Sequence, residues 1–245
     1  MDRLLRENPQ VEISVVVPVY NEEENLPVLI PQIAEVLNLL GKTYEMIFVD
    51  DGSTDRSRHL LKEMVSHCPQ IRIIGFKENR GETAAGAAGL KEARGKIVIT
   101  LDADLQNDPK DIPRMLEYLK DYDMVTGWRE KREDSWVKRI TSKIANRIRN
   151  GLSGETIRDS GCTFRAYKRE CLQNLKLYKG MHRFMPTLVK MEGFRVIEIP
   201  IAHHPRKFGV SKYTTWNRMW RAFIDLLAVK WMKSRHIHYE IEERI

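Results

Sequence analysis

The sequence predicts an α/β protein with a mostly parallel central sheet flanked by helices. Two observations carry this. Apolar, β-branched runs recur, each ending in a polar tip and followed by a helical stretch, as in parallel strands joined by crossover helices. The tips are also chemically alike: Tyr20-Asn21-Glu22, Asp50-Asp51-Gly52-Ser53 and Asp102-Ala103-Asp104. Ligands of parallel sheets bind beyond the carboxyl ends of the strands, so the three tips should gather on one edge.

Taken in order, Ile13 to Tyr20 reads as a buried strand. The run from Asn21 through Glu22-Glu23-Glu24 then opens a helix to about Leu40, with its acids at the positive helix end. Tyr44 to Val49 is a second strand, and a helix follows to about His67. Ile71 to Phe76 is a third strand. Thr83 to Arg94, rich in Ala and Gly, suits a helix packed close against a neighbour. Lys96 to Leu101 is the fourth strand, Pro109 to Asp121 a helix, and Asp123 to Gly127 the fifth strand.

The second half is less regular. Ser135 to Asn150 reads as a basic amphipathic helix, Cys162 to Tyr167 and Phe194 to Ile199 as strands, and His203 to Lys212 as a loop. Thr214 to Lys233 is a helix with Trp216, Met219, Trp220, Phe223, Leu227 and Trp231 at spacings of three and four. There is no internal repeat or flexible linker. The expected organisation is one α/β domain, residues 1–213, and a C-terminal helix and tail, residues 214–245.

Composition narrows the function classes. Hydrophobic residues make up 42% and charged residues 31% of 245, which suits a globular chain with a sizeable core. Three cysteines without a CxxC pair argue against a disulfide framework or thiolate zinc site, and fit a reducing compartment. Residues 1–10 have no apolar core of signal-peptide length. No uncharged apolar stretch approaches the ~18 residues of a membrane-spanning helix. The net charge of +7 hides an asymmetry: residues 1–126 hold 15 Lys+Arg against 22 Asp+Glu, and residues 127–245 hold 26 against 12. A basic half attracts phosphates, whether of nucleic acid, nucleotide or an anionic membrane.

The Asp pair is the most informative tip. On a strand, residues i and i+2 share a side, so Asp102 and Asp104 can offer oxygens to one ion. Two carboxylates this close repel unless a cation or shared proton intervenes. Mg²⁺ or Mn²⁺ meets that need, and takes its remaining ligands from substrate phosphates. Gln106 continues the alternation and can supply a third oxygen. The ordinary alternative is that Asp102 caps the next helix while Asp104 is solvated. Asp50 and Asp51 are turn residues, but adjacent acids at a strand end also accept bonds from a nucleobase N–H and ribose hydroxyls. Pro18, Tyr20, Asn21, Glu22 and Ser53 stand beside them.

Gly81-Glu82-Thr83-Ala84-Ala85-Gly86 matches neither GxxxxGK[ST] nor GxGxxG, which disfavours a P-loop ATPase or a Rossmann dehydrogenase. Basic residues cluster at Arg129, at Lys138-Arg139 through Ser142-Lys143, and from Arg206 to Lys212. Arginine forks hold phosphate oxygens bidentately, and Ser and Lys beside a Gly turn add donors. Cys162 and Cys171 read as small buried residues. His203-His204 is discounted as a metal pair, since neighbours on a strand face opposite ways. The last helix, aromatic on one face and basic elsewhere, suits either core packing or a membrane interface, and Asp225 argues against its spanning.

Together, Pro18-Val19-Tyr20-Asn21-Glu22-Glu23, Val49-Asp50-Asp51-Gly52-Ser53-Thr54-Asp55 and Leu101-Asp102-Ala103-Asp104-Leu105-Gln106 resemble the signatures of glycosyltransferase family 2. Three further stretches resemble its polyprenyl-phosphate branch, which includes dolichyl-phosphate mannose synthases and undecaprenyl-phosphate sugar transferases. They are Gly127-Trp128-Arg129, Asp159-Ser160-Gly161-Cys162-Thr163-Phe164-Arg165 and Arg206-Lys207-Phe208-Gly209-Val210-Ser211-Lys212-Tyr213.

The resemblance spans roughly residues 11–233 and implies a GT-A fold and a GDP- or UDP-sugar donor. By resemblance, Pro18, Tyr20, Glu22 and Asp51 line the base and ribose pocket, and Asp102, Asp104 and Gln106 bind Mg²⁺ or Mn²⁺. Arg129 and Arg206 hold phosphates, Ser142 matches a phosphate-contacting serine, and a nearby arginine position falls on Lys138 or Arg139. The QxxRW signature of processive polysaccharide synthases is absent, since Asn217-Arg218-Met219-Trp220 does not match it. Many membrane-anchored members continue into transmembrane helices, whereas residues 236–245 here hold two His, three Glu and one Arg.

The implied function is inverting sugar transfer to a polyprenyl phosphate by a peripheral protein at the cytoplasmic membrane face, with no nucleic acid involved. Two rivals stand beside it: transfer to a carbohydrate or protein hydroxyl with Asp159 as base, and a non-catalytic binding module at the membrane surface.

Overall fold

A computed structural model describes residues 11–129, 157–206 and 215–237, with the backbone alone over 215–221. Seven strands form one sheet: β1 Ile13–Val19, β2 Tyr44–Asp50, β3 Ile71–Gly75, β4 Ile97–Thr100, β5 Met124–Arg129, β6 Arg165–Lys168 and β7 Val196–Ile201. Among the described residues, six α-helices accompany it: α1 Leu26–Leu39, α2 Ser57–His67, α3 Glu82–Glu92, α4 Ile112–Tyr118, α5 Met185–Met191 and α6 Thr215–Arg235. The expected elements within the described residues are present. The helix expected over 135–150 lies outside them.

The strand order is β3-β2-β1-β4-β6-β5-β7. All pairings are parallel except the two made by β6, which runs against both β4 and β5. Thr100, the last residue of β4, therefore pairs with Arg165, the first of β6. The reversal puts the start of β6 on the same edge as the ends of the other six strands. Residues 159–163, which precede a strand, consequently reach the edge expected for strand ends.

Alternating residues of β1 serve opposite faces, as a sheet covered on both sides requires. Val15, Val17 and Val19 join one cluster with Leu26, Leu29 and Ile33 of α1. Val16 faces the other way, with Ile47, Val49 and Ala85. A third cluster joins Met124 and Tyr167 to α5 and to Leu226 and Val229 of α6. Among the described residues no helix is long and apolar enough to cross a membrane.

One expected boundary is corrected. Helix α1 begins at Leu26, with no acid in its first turn. Asn21 takes a left-handed backbone at φ 54°. The N–H groups of Asn21, Glu22 and Glu23 donate to Ser53 Oγ, Ser57 Oγ and Asp55 Oδ2 at 3.0, 2.8 and 3.2 Å. Those donors are claimed by the β2–α2 loop, so the helix starts later, where Pro27 suits a first turn.

The close-packed helix expected from the Ala/Gly stretch is α3. A Cβ on Gly89 would lie 2.3 Å from Val16 Cγ1 and 3.0 Å from Val49 Cγ2, both in the core. Alanine favours a helix over glycine by about 1 kcal/mol. Overpacking a core typically costs about 1–3 kcal/mol, and the fully buried Val16 has little room to yield. Gly89→Ala should therefore lower stability in urea titrations, and Val16→Ala in the same chain should recover part of the loss.

Candidate active site

The strand ends and the start of β6 border a cleft of about 340 Å³. Pro18, Tyr20 and Glu22 line it from the end of β1, and Asp51 from the end of β2. Asp102, Asp104 and Gln106 reach it from beyond β4, Arg129 from β5 and Arg206 from beyond β7. Nine of the predicted site residues thus share one cavity, although 188 positions separate the first from the last.

Three others do not line it. Asp50 is fully buried, bonded to Arg58, and accepts the Ser53 N–H at 3.0 Å. Ser53 in turn accepts from Asn21 N–H at 3.0 Å, and the Asn21 carboxamide accepts Thr54 N–H at 2.8 Å. Asp50, Ser53 and Asn21 brace the two loops behind the cleft. Ser142 and Lys212 lie outside the described residues, as do Lys138 and Arg139.

Asp51 is held differently from Asp50. Its two carboxylate oxygens accept the backbone N–H groups of Arg80 and Gly81 at 2.7 and 2.8 Å. The approach of that segment requires Gly52, whose φ is +72° and where a Cβ would fall 2.6 Å from the Glu78 carbonyl carbon.

The Asp pair lies beyond the strand, because β4 ends at Thr100. Simple strand alternation therefore does not align these side chains. Leu105, left-handed at φ 59°, also breaks any alternation before Gln106. The helix-cap explanation for Asp102 does not hold either. Asp108 caps the following 3-10 turn through Lys110 N–H at 2.9 Å. Asp102 instead accepts the Thr163 hydroxyl at 2.5 Å.

Burial first, then the charges of Glu82 and Asp104, push the Asp102 carboxyl up to about 7, against the Thr163 bond and the Arg165 charge. Asp104, 7% exposed, accepts Gln106 N–H at 3.2 Å and Arg206 Nη2 at 2.7 Å. The Gln106 amide nitrogen faces the His204 carbonyl at 3.4 Å. Carboxylate oxygens that repel one another, with an amide oxygen nearby, form a hard-oxygen donor set that fits Mg²⁺ or Mn²⁺.

Both arginines meet carboxylates. Arg129, the last residue of β5 rather than part of a turn, forks onto Asp159, Nε to Oδ2 at 2.6 Å and Nη2 to Oδ1 at 2.9 Å. Glu198 supports that loop by accepting Arg158 N–H at 2.9 Å and Asp159 N–H at 3.2 Å. His203 and His204 turn to different partners, as expected. His203 faces Gln106 Nε2 at 3.5 Å, and His204 faces Asp108 at 3.5 Å.

Sequence reasoning missed Glu82, His182 and Arg183 as cleft residues. His182 meets Thr83 Oγ1 through Nδ1 at 2.6 Å and Glu82 through Nε2 at 3.5 Å. No motif surrounds His182. The signal for Glu82 is an acid directly after Gly81 at a helix start. Cys162 and Cys171 are buried, and burial pushes both thiols up to about 12, so neither is a nucleophile at neutral pH.

The raised Asp102 carboxyl has a definite sign. The folded state holds this proton more tightly than the unfolded chain, whose aspartate titrates near ~3.9. Asp102 therefore favours folding at low pH, and that contribution is lost as pH rises from about 4 to about 7. Mn²⁺ titrations should show tighter binding at pH 8 than at pH 6, with a proton released only at the lower pH. Calorimetry in buffers of different ionisation enthalpy measures this. Glu82→Gln should move the transition to lower pH.

The model of the family described as Glycosyl transferase family 2 matches residues 14–176. Among solved structures, glucosyl-3-phosphoglycerate synthase from Mycobacterium tuberculosis, in complex with Mn²⁺ and UDP-glucose, is similar at 20% identity. That alignment covers 90% of this chain and 79% of the other, with a TM-score of 0.67. The same enzyme with Mg²⁺ and UDP aligns at 18% identity, 89% and 79% coverage and TM-score 0.65. A mycobacterial protein aligns at 21% identity, 90% and 74% coverage and TM-score 0.66. These likenesses agree on the fold, and the family match covers two thirds of the sequence. The chain belongs to glycosyl transferase family 2, with the α/β architecture of the GT-A fold.

Proposed function

We propose that this glycosyltransferase moves a sugar from a nucleoside-diphosphate sugar to a polyprenyl phosphate, as a peripheral protein at the cytoplasmic membrane face. The observation that carries the lipid acceptor is the outer face of α6. Leu226 and Val229 are buried, whereas Phe223, Ile224, Leu227 and Trp231 are exposed, Trp231 by 65%. Lys230, Lys233 and Arg235 are exposed on the same helix. Exposed aromatic and aliphatic side chains among cations suit a helix lying in an anionic headgroup layer. The helix also adjoins the cleft. A Cβ on Gly180 would lie 2.2 Å from Asp225 Oδ2, and the cleft residues His182 and Arg183 follow directly. Three free cysteines fit a reducing compartment.

Asp51 and Tyr20 would take the nucleoside, and Asp102, Asp104 and Gln106 would hold Mg²⁺ or Mn²⁺. The bound ion supplies Lewis-acid neutralisation of the departing diphosphate. The similar synthase was crystallised with UDP-glucose and Mn²⁺, which supports a UDP-sugar donor here. A phosphate monoester is already largely anionic at neutral pH and needs no base to attack. Arg129 and Arg206 would align it and offset its charge. A hydroxyl acceptor would need a base, yet the candidate, Asp159, has both oxygens engaged by Arg129.

The test is incubation of the enzyme with UDP- and GDP-sugars, Mn²⁺ and polyprenyl phosphate in anionic vesicles. A glycolipid should form. Asp104→Ala should lower its rate about a hundredfold or more with the circular dichroism spectrum unchanged. Trp231→Asp should weaken vesicle binding while leaving donor hydrolysis in place. Transfer only to 3-phosphoglycerate or a sugar alcohol would overturn the lipid reading, and loss of all donor turnover would point to a binding module.

A further inference from the structure

Asp104 and Arg206 are each asked for something else by a catalytic cycle. Asp104 is wanted by a divalent ion, and Arg206 by an acceptor phosphate. One contact answers both, Arg206 Nη2 to Asp104 Oδ2 at 2.7 Å. The Asp104 side chain is 10% exposed and the Arg206 side chain 33%, so water screens the pair only in part.

We propose that Arg206 is the resident counter-ion of Asp104 and is exchanged against the divalent ion, so that the acceptor-phosphate site opens only after the ion has bound. The inference rests on the reading that Asp104 holds the ion and that the acceptor carries a phosphate. A guanidinium and a divalent ion on the same carboxylate oxygen repel each other at contact distance, so one excludes the other. The second arginine is built otherwise. Arg129 forks onto both oxygens of Asp159, and its own N–H also points to Asp159 Oδ2 at 3.4 Å. Asp159 is no part of the ion's donor set, so the ion leaves that pair intact. Arg129 is the standing clamp and Arg206 the released one. The ion thus frees Arg206 for a phosphate and leaves Arg129 in place.

The experiment needs neither sugar nor lipid. Mn²⁺ is titrated into the metal-free chain and followed by electron paramagnetic resonance. Arg206→Met should bind Mn²⁺ about three- to tenfold more tightly than wild type, the scale of one lost competing ion pair. Arg206→Lys, which keeps the charge, should stay near wild type. Arg183→Met removes another cleft cation and should tighten Mn²⁺ less than Arg206→Met.

In a second arm, inorganic phosphate is titrated calorimetrically in the presence of a chelator. Asp104→Asn should bind phosphate several-fold more tightly than wild type, and the double variant Asp104→Asn/Arg206→Met should lose that gain. Unchanged Mn²⁺ affinity in Arg206→Met, an equal effect of Arg183→Met, or a phosphate gain that survives in the double variant would each overturn the exchange. Failure to make glycolipid would leave these results standing, so the two readings fail separately.

Discussion

Buried negative charge at one sheet edge is the constraint that organises this protein. Asp50, Asp51, Asp104 and Asp159 are all less than a tenth exposed, and a carboxylate out of water must be paired, bonded or protonated. Each is answered differently. Asp50 has Arg58, Asp51 has two backbone N–H groups, Asp104 has Arg206, and Asp159 has the Arg129 fork. Asp102 accepts the Thr163 hydroxyl, and burial first, then the charges of Glu82 and Asp104, raise its carboxyl. The loops around the cleft follow from these answers. The turn at residues 78–81 approaches because Asp51 calls for its N–H groups. The loop after β7 is tied to the segment after β4 by the Asn107–His203 bridge and by His204 N–H to the Gln106 carbonyl at 2.9 Å, which brings Arg206 to Asp104.

The division of labour between adjacent acids follows from the same constraint. Asp50 ends β2 with no exposure and is consumed by structure, while Asp51, one residue on, lines the cleft. The pleat turns neighbours to opposite sides, so one can be a brace and the other a binding group.

Much of this was legible in the chain. The β-branched runs located six parallel strands to within a residue or two at most ends, since burial on both faces demands continuous apolar sequence. The three polar tips located the cleft. Three things were not legible. The start of α1 depends on Ser53, Asp55 and Ser57, about 30 residues away, claiming N–H groups that the local pattern assigns to a helix. The reversed direction of β6 has no periodicity of its own, because a four-residue strand reads the same both ways. His182 reaches the cleft on a turn held by Thr83, which accepts Gly180 N–H, and by Arg165, which donates to the His182 carbonyl at 2.6 Å. Long-range side-chain bonds, rather than propensity, decide the first and the third.

The Arg129–Asp159 fork has one more consequence. Its partners are 30 positions apart, and they join the end of β5 to the approach to β6 at the lip of the cleft. Two parallel N–H to oxygen bonds fix direction as well as distance, so neither partner can slide past the other. The β5–β6 pairing, Thr126 opposite Arg165, is therefore pinned beyond its last ladder pair. The fork acts as a register lock: a one-residue slip of β6 would pull Asp159 off Arg129 and carry Arg165 to the wrong side of the sheet.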